Sequence, residues 1–456
     1  WLSTLAVAHL LTPADYGVVG LAWLYLGLIA MTTEFGIGSA VVTLRYLSAQ
    51  QTRQLHALAV ALGLLACGLS VGLALPLASF FDEPRLTAVV AVLSTGAFLS
   101  GFKVVPEALL RRDLQFKRLA AYEATQAIAA AASTLGLAAA GWGYWALVFG
   151  NLLGAATNAL LVVRSRPEAF AWPRRTQIAP AVDFSRNVLG SRLAWYAYDN
   201  ADFLVAGKLL GTDLLGAYNL AWTFASMPLD KLVALIGRVT PAVLSAVQHE
   251  PAELRRYVIR ITEAISLVVF PLGVGLALVA DDFVRALLGD KWVAAVEPLR
   301  ILSVYACIRG MSPLWSQVLT VTGDTAFLMG VSVLGALFLP LGFVVGSHWG
   351  LAGIAYAWLI VHPPVVVVPI FSRLRKRIAL HIVEYGRAVR PATAATVAMV
   401  VVVEVTRASL SASGPGLRLA VTVATGGLGY AAVLPFLGRE RLRGIIRALS
   451  SALRPS

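Results

Sequence analysis

The sequence predicts an all-α polytopic membrane protein of about fourteen transmembrane helices, arranged as two parallel six-helix repeats followed by two C-terminal helices. Three observations carry that expectation. Hydrophobic residues make up 58% of the 456-residue chain and charged residues 13%, where soluble domains run at about 45–50% and about 25%. The apolar residues gather into runs long enough to cross a hydrocarbon core, which takes about 20 helical residues. A short pattern near the start of the chain also returns about halfway along it.

Turn residues and charges delimit the runs. The first is a stub, residues 1–11, ended by Thr12 and Pro13; the second, 16–44, stops at Arg45. Residues 57–80 are closed by Asp82, Glu83 and Pro84, and residues 86–110 by Arg111, Arg112 and Asp113. Residues 119–140 end at Gly141, and 146–163 at Arg164. The seventh run, 184–210, ends at Gly211 and the eighth, 216–247, before His249 and Pro251. Runs 257–279, 298–320, 327–346 and 351–372 follow, and 391–405 and 418–437 close the set. The chain opens on apolar Trp1 without an initiator Met, a charged leader or a cleavage site, and its first run is short. The expectation is that the true N-terminus lies upstream.

Charge sets the orientation. Loops on one side hold most of the bases, among them Arg45, Arg53, Arg111, Arg112, Lys117, Arg118, Arg174, Arg373 and Arg375. Loops on the other side hold Arg85, Arg285, Lys291 and Arg407. That bias places the first side, and both termini, in the cytoplasm. The net charge of +13 is thus a membrane-loop signature, and a nucleic-acid partner is excluded. Two cytoplasmic stretches carry apolar residues at helical spacing among bases and read as helices lying on an anionic membrane surface. One is the tail, with Leu442, Ile445, Ile446, Leu449 and Leu453; the other holds Leu374, Ile378, Ile382, Tyr385 and Val389.

Self-comparison defines the architecture. Leu11, Gly17 and Leu21-Ala22-Trp23 recur as Leu210, Gly216 and Leu220-Ala221-Trp222, and Trp142-Gly143 as Trp349-Gly350. Six runs separate the copies, and an even number restores the same orientation, so the halves are parallel repeats. The expected lobes are residues 1–183 and 184–372, with 373–456 as an interfacial linker, two further helices and a basic tail.

Motifs for nucleotide, dinucleotide or zinc chemistry are absent, and no cofactor is expected. Cys67 and Cys307 lie in apolar runs without disulfide or metal spacing. His362 precedes Pro363 and Pro364, which should bend or break the twelfth run. The longest outer connection, 280–297, alternates Asp281, Asp282, Asp290 and Glu297 with Arg285 and Lys291 and reads as a solvated loop helix. It is too short for a catalytic domain.

What remains are the charges within the runs, each costing about 2.5–3.5 kcal/mol on insertion scales and therefore turned toward water or one another. The bases Lys103, Arg186, Arg192, Lys231, Arg238 and Arg309 suit an anionic head group, because Arg grips phosphate through two parallel N–H bonds. The acids Glu34, Asp199, Asp202 and Asp230 suit a coupling proton or cation. Arg192, Tyr196 and Asp199 share nearly one helical face, since seven residues make almost two turns. An ion pair that merely holds a bundle together fits that spacing too. Glu107, Glu123, Glu263 and Glu404 lie nearer the ends of their runs, and Lys208 and Arg300 can snorkel.

Four stretches carry a family likeness: Leu10-Leu11-Thr12-Pro13-Ala14-Asp15-Tyr16-Gly17, Glu34-Phe35-Gly36-Ile37-Gly38, Val105-Pro106-Glu107-Ala108-Leu109-Leu110-Arg111-Arg112-Asp113-Leu114, and Leu209-Leu210-Gly211-Thr212-Asp213-Leu214-Leu215-Gly216-Ala217-Tyr218. In their order and spacing the chain, to about residue 372, resembles the oligosaccharide flippases of the multidrug/oligosaccharidyl-lipid/polysaccharide superfamily. The likeness is to its polysaccharide transporter branch, including Wzx-type translocases. The resemblance implies two six-helix lobes in a V-shaped arrangement in the bacterial inner membrane. It implies movement of a polyprenyl diphosphate-linked glycan to the outer leaflet, for lipopolysaccharide or exopolysaccharide synthesis, by rocking of the lobes without ATP. Membrane lipids and the polysaccharide assembly machinery are the implied partners, and some members imply proton or sodium coupling. The cationic cavity of such flippases would map onto Arg192, Lys231, Arg238, Arg309 and Lys103. Two alternatives stay open. A drug/cation antiporter of the same superfamily calls for twelve spans and an acid-dominated cavity; a membrane glycan polymerase or ligase calls for a large outer loop.

Overall fold

Among the described residues the apolar runs fold as helix, and what interrupts the helices is local backbone chemistry. The computed structural model describes residues 2–434 except 35, 45, 175, 180, 184, 186–192, 194, 195 and 198, and gives the backbone but not the side chains of residues 2, 32–34, 231–239 and 241–243. Its first helices are α1 (Leu2–Leu10), α2 (Pro13–Glu34), α3 (Ile37–Thr43), α4 (Ala49–Phe81), α5 (Arg85–Leu93), α6 (Thr95–Arg112), α7 (Phe116–Ala139) and α8 (Tyr144–Ser165). We number the next α9 (Ala201–Leu210), α10 (Thr212–Ala246), α11 (Pro251–Leu287), α12 (Val296–Arg309), α13 (Ser312–Val321), α14 (Thr325–Ser347), α15 (Gly350–Ile360), α16 (Val368–Ile378), α17 (Ile382–Ser409) and α18 (Pro415–Val433). Among the described residues, nine helical stretches are long and apolar enough to cross a membrane.

Several predicted runs are divided or extended, and in four the local cause is visible. The second is cut at Gly36, whose φ of 65° is left-handed and favours a residue without a Cβ. The third starts early, at Ala49, because Ser48 and Gln51 form a capping box: Gln51 N–H donates to Ser48 Oγ at 3.2 Å and Ser48 N–H to Gln51 Oε1 at 2.8 Å. The fourth divides at Ser94, whose hydroxyl donates to the Ala91 carbonyl at 2.7 Å, a back-bond that bends helices. The twelfth contains a π-helical turn, Pro363–Val367, where two residues lack the N–H a regular helix needs.

Two expectations are corrected. Residues 280–297 are helical, as expected, but only partly solvated: α11 runs on to Leu287, Asp290 and Lys291 are exposed, and Asp282 is fully buried. The acid is tolerated there because Arg418 of α18 bonds it directly and Arg407 of α17 lies 3.8 Å away. The 374–389 stripe is also not one surface helix. Ala379 takes a left-handed conformation (φ 49°) that ends α16, leaving Leu374 and Ile378 buried and Ile382 exposed on the next helix. The predicted tail helix lies outside the described residues.

Packing divides the chain into two units, Trp1–Asn219 and Leu220–Ser456, with the boundary inside α10. In the first unit, the starts of α2 and α10 pack backbone to backbone. A Cβ on Gly17 would stand 1.8 Å from the Thr212 carbonyl oxygen, and one on Gly216 would stand 1.8 Å from that of Pro13. These are the glycines that the sequence repeat pairs. Around this junction Glu83 Oε2 accepts from Thr212 Oγ1 at 3.3 Å, Asp15 Oδ1 accepts from the Tyr144 N–H at 3.1 Å, and Lys208 meets Asp82 at 2.8 Å. In the second unit α11 packs against α12, α17 and α18.

Candidate cationic sites

At the far end of the first unit, α6 carries two faces. Val105, Ala108 and Leu109 turn into a buried apolar cluster with Ile37, Val41, Leu55 and Ala59. Lys103, Glu107 and Arg111 recur every four residues on another face, as helix geometry requires, and line a cavity of about 300 Å³. Its other wall is Gly36, Gly38, Ser39 and Thr43. Lys103 Nζ lies 3.5 Å from Glu107 Oε2 and donates to Asn158 Oδ1 at 3.4 Å, while Arg111 donates to Glu107 Oε1. Lys103 and Glu107 are about a quarter and a fifth exposed; Arg111, at 53%, forms the rim.

In the second unit a similar four-residue spacing on α10 receives Arg309 from α12. The guanidinium stands 5.2 Å over the Trp222 ring, donates to Ser226 Oγ at 3.0 Å and lies 3.5 Å from Asp230 Oδ1. Trp222 continues into an aromatic cluster, with its ring 5.5 Å from Trp358 and 6.5 Å from Tyr305. His362, just before the π-helical turn, contacts the same Trp358 and Tyr305 rings. Arg309 therefore presents a partly exposed cation on a rigid aromatic support.

The other sequence-predicted residues fall as follows. Arg186 and Arg192 lie outside the described residues. Lys231 and Arg238 belong to α10 and Glu34 ends α2, but their side chains are outside the described ones. Asp199 is half-buried, and its neighbour Tyr196 donates to the Leu24 carbonyl at 2.7 Å. Asp202 is fully buried and accepts from the Tyr218 hydroxyl at 2.7 Å and from the Phe203 N–H at 2.9 Å. Arg309 and Asp230 are brought together; Lys103 belongs to the first unit's cavity. Sequence reasoning had set Arg111 in a loop and passed over Asn158, Trp222 and Ser226 as site residues. The four-residue spacing of Lys103, Glu107 and Arg111 was the signal that could have found the cavity wall.

Partly exposed cations held on helices of this length and apolarity fit a multi-pass helical membrane protein. Comparison with known proteins sharpens this. The family model described as "Polysaccharide biosynthesis protein" matches residues 6–297. The chain belongs to this family, within the polysaccharide transporter (Wzx-type) branch of the flippase superfamily. It is 24% identical to the lipopolysaccharide biosynthesis protein WzxC of Escherichia coli strain K12, over 78% of this chain and 73% of WzxC. It is 25% identical to the teichuronic acid biosynthesis protein TuaB of Bacillus subtilis strain 168, over 87% and 83% of the two chains. Among solved structures, the lipid II flippase MurJ in an inward closed conformation shares the fold, with a TM-score of 0.80 and 12% identity over 96% of both chains. An inward-facing MATE multidrug transporter shares it at a TM-score of 0.64 and 18% identity, over 83% and 94%.

Proposed function

We propose that this protein is a flippase that carries a polyprenyl diphosphate-linked oligosaccharide from the cytoplasmic to the outer leaflet of a bacterial inner membrane, supplying polysaccharide synthesis. The observation that carries this reading is the cavity wall on α6, where Lys103 and Arg111 border a space of about 300 Å³ at the end of an apolar helix. Two cations at such a place fit a diphosphate, whose oxygens accept charge-assisted hydrogen bonds. The names of WzxC and TuaB, and the MurJ fold, support the lipid-linked glycan as substrate class. In this reading fourteen helices form two six-helix lobes and a C-terminal pair, both termini are cytoplasmic, and the lobes move by alternating access. Arg309 joins Lys103, Arg186, Arg192, Lys231 and Arg238 as anion contacts. Coupling to a proton or sodium gradient falls to Glu34, Asp199, Asp202 or Asp230.

The test is transport of a fluorescent lipid-linked glycan in proteoliposomes. Lys103→Ala and Arg309→Ala should each lower the initial rate by about tenfold or more, the value of one lost charge-assisted hydrogen bond. Wild-type rates in both variants would remove these residues from the pathway. Drug efflux that depends on Asp230, with no glycan movement, would favour the antiporter.

A further inference from the structure

The stretch Val105 to Leu114 carries family likeness, yet of it the flippase reading uses only Arg111. Its acid has a job of its own. Glu107 lies between Lys103 and Arg111 with one carboxylate oxygen committed to each: Oε2 to Lys103 at 3.5 Å, Oε1 to Arg111 through a direct hydrogen bond. All three side chains line the same cavity. An incoming anion therefore meets two cations that already share a carboxylate. We propose that Glu107 is an intramolecular competitor of the substrate head group, which displaces it from Lys103 and Arg111 on binding and is displaced by it on release. This rests on the flippase reading and adds a residue that sets its affinity.

The physical need is plain. A carrier must bind its cargo strongly enough to load and weakly enough to let go, and two bare cations on one wall would hold a diphosphate tightly. A tethered carboxylate lowers net affinity without removing the contacts that orient the anion, and it reoccupies the cations as the anion leaves. An ordinary exposed ladder of ion pairs would have the same four-residue spacing and contribute little, because water screens it. Glu107 differs in bordering a cavity with most of its side chain covered, so its partners face bound solute as well as bulk solvent.

The experiment uses the full chain in nanodiscs of neutral lipid, with farnesyl diphosphate as the binding probe and farnesol as the uncharged control. Glu107→Gln should bind farnesyl diphosphate about three- to tenfold more tightly than wild type, while Lys103→Ala binds more weakly. In proteoliposomes Glu107→Gln should show a lower KM and a lower kcat for the lipid-linked glycan, and Glu107→Asp should restore part of the turnover. A structural role predicts the opposite split, because a Lys103 freed of its partner would be less well placed and binding would weaken. Unchanged or weaker binding by a Glu107→Gln protein whose melting profile matches wild type overturns the exchange, even where Lys103→Ala has lost affinity. Wild type and Lys103→Ala both indifferent to the probe would remove the head-group site itself, and the competitor with it.

Discussion

The two ends of the unit Trp1–Asn219 use similar residues to opposite effect. The bent pair α5 and α6 joins them, with Arg85 at one end and Arg111 at the other. At the Arg85 end, the turns around Pro13 and Thr212 close backbone on backbone, and the turn at Asp82 joins them through side chains. A Cβ on Gly17 or Gly216 would fall 1.8 Å from a carbonyl oxygen. At the Arg111 end, a Cβ on Gly38 would meet nothing nearer than Val104 Cγ1 at 3.6 Å, an ordinary contact. Charges follow the same division. Glu83 is clamped by the Arg85 guanidinium through two hydrogen bonds, at 2.8 and 2.7 Å, by the Arg85 N–H at 3.3 Å, and by Thr212, whereas Glu107 is shared between two cations on a cavity wall. Carboxylates thus staple one end and remain exchangeable at the other.

The largest effect that could break this comparison comes from the glycines. Gly216→Ala and Gly17→Ala each force a methyl group into a carbonyl oxygen, and overpacking of this kind costs about 1–3 kcal/mol. Gly38→Ala should stay within about 0.5 kcal/mol, as substitutions without a clash do. Thermal midpoints of the purified proteins decide it. Equal midpoints for all three would mean that the junction yields as freely as the cavity wall.

Self-comparison of the sequence matched Gly17 with Gly216, but similarity reports equivalence and is silent on contact, so their reciprocal approach was hidden. Lys103 was legible because a cation inside an apolar run has few reasons to be there. Arg111 was not, because charge at a run's end reads as loop while the helix continues to Arg112. Asp282 was misread for a related reason: its partners Arg407 and Arg418 come from helices more than a hundred residues away, and no local window holds both. A disturbance at Pro363 and Pro364 was legible, since two missing N–H groups act within their own turn, but not that it would take the form of a π-helical turn inside a continuing helix.

A smaller effect is expected at Glu83. Glu83→Gln keeps the shape of the side chain but loses the charge that Arg85 holds, which should lower stability by about 1–2 kcal/mol. Hydrogen bonding from Arg85 holds the Glu83 carboxyl below its ordinary value of 4.5. A depressed carboxyl contributes stability that is fully present above the ordinary value and is lost as pH falls through the depressed one. The difference between wild type and Glu83→Gln should therefore be constant from about pH 6 to 8 and shrink below pH 4.5. A difference that grows on acidification would contradict the staple.

The smallest effect tests how far the staple extends toward solvent. Lys208 meets Asp82 at 2.8 Å, but the Asp82 side chain is 80% exposed, and ion pairs in water are screened and offset by side-chain entropy. Lys208 also lies 5.2 Å over the Phe80 ring, which adds a contact that salt screens less. Lys208→Ala should thus cost about 0.5 kcal/mol, while Asp82→Asn, which spares the ring contact, should cost less. Raising the ionic strength to about 1 M, where the Debye length falls to about 3 Å, should erase the Asp82→Asn difference and leave part of that for Lys208→Ala. A salt-resistant loss above about 1 kcal/mol for Asp82→Asn would show that the exposed pair bears on the junction as strongly as Glu83 does, and the contrast between a closed backbone contact and a screened rim would fail.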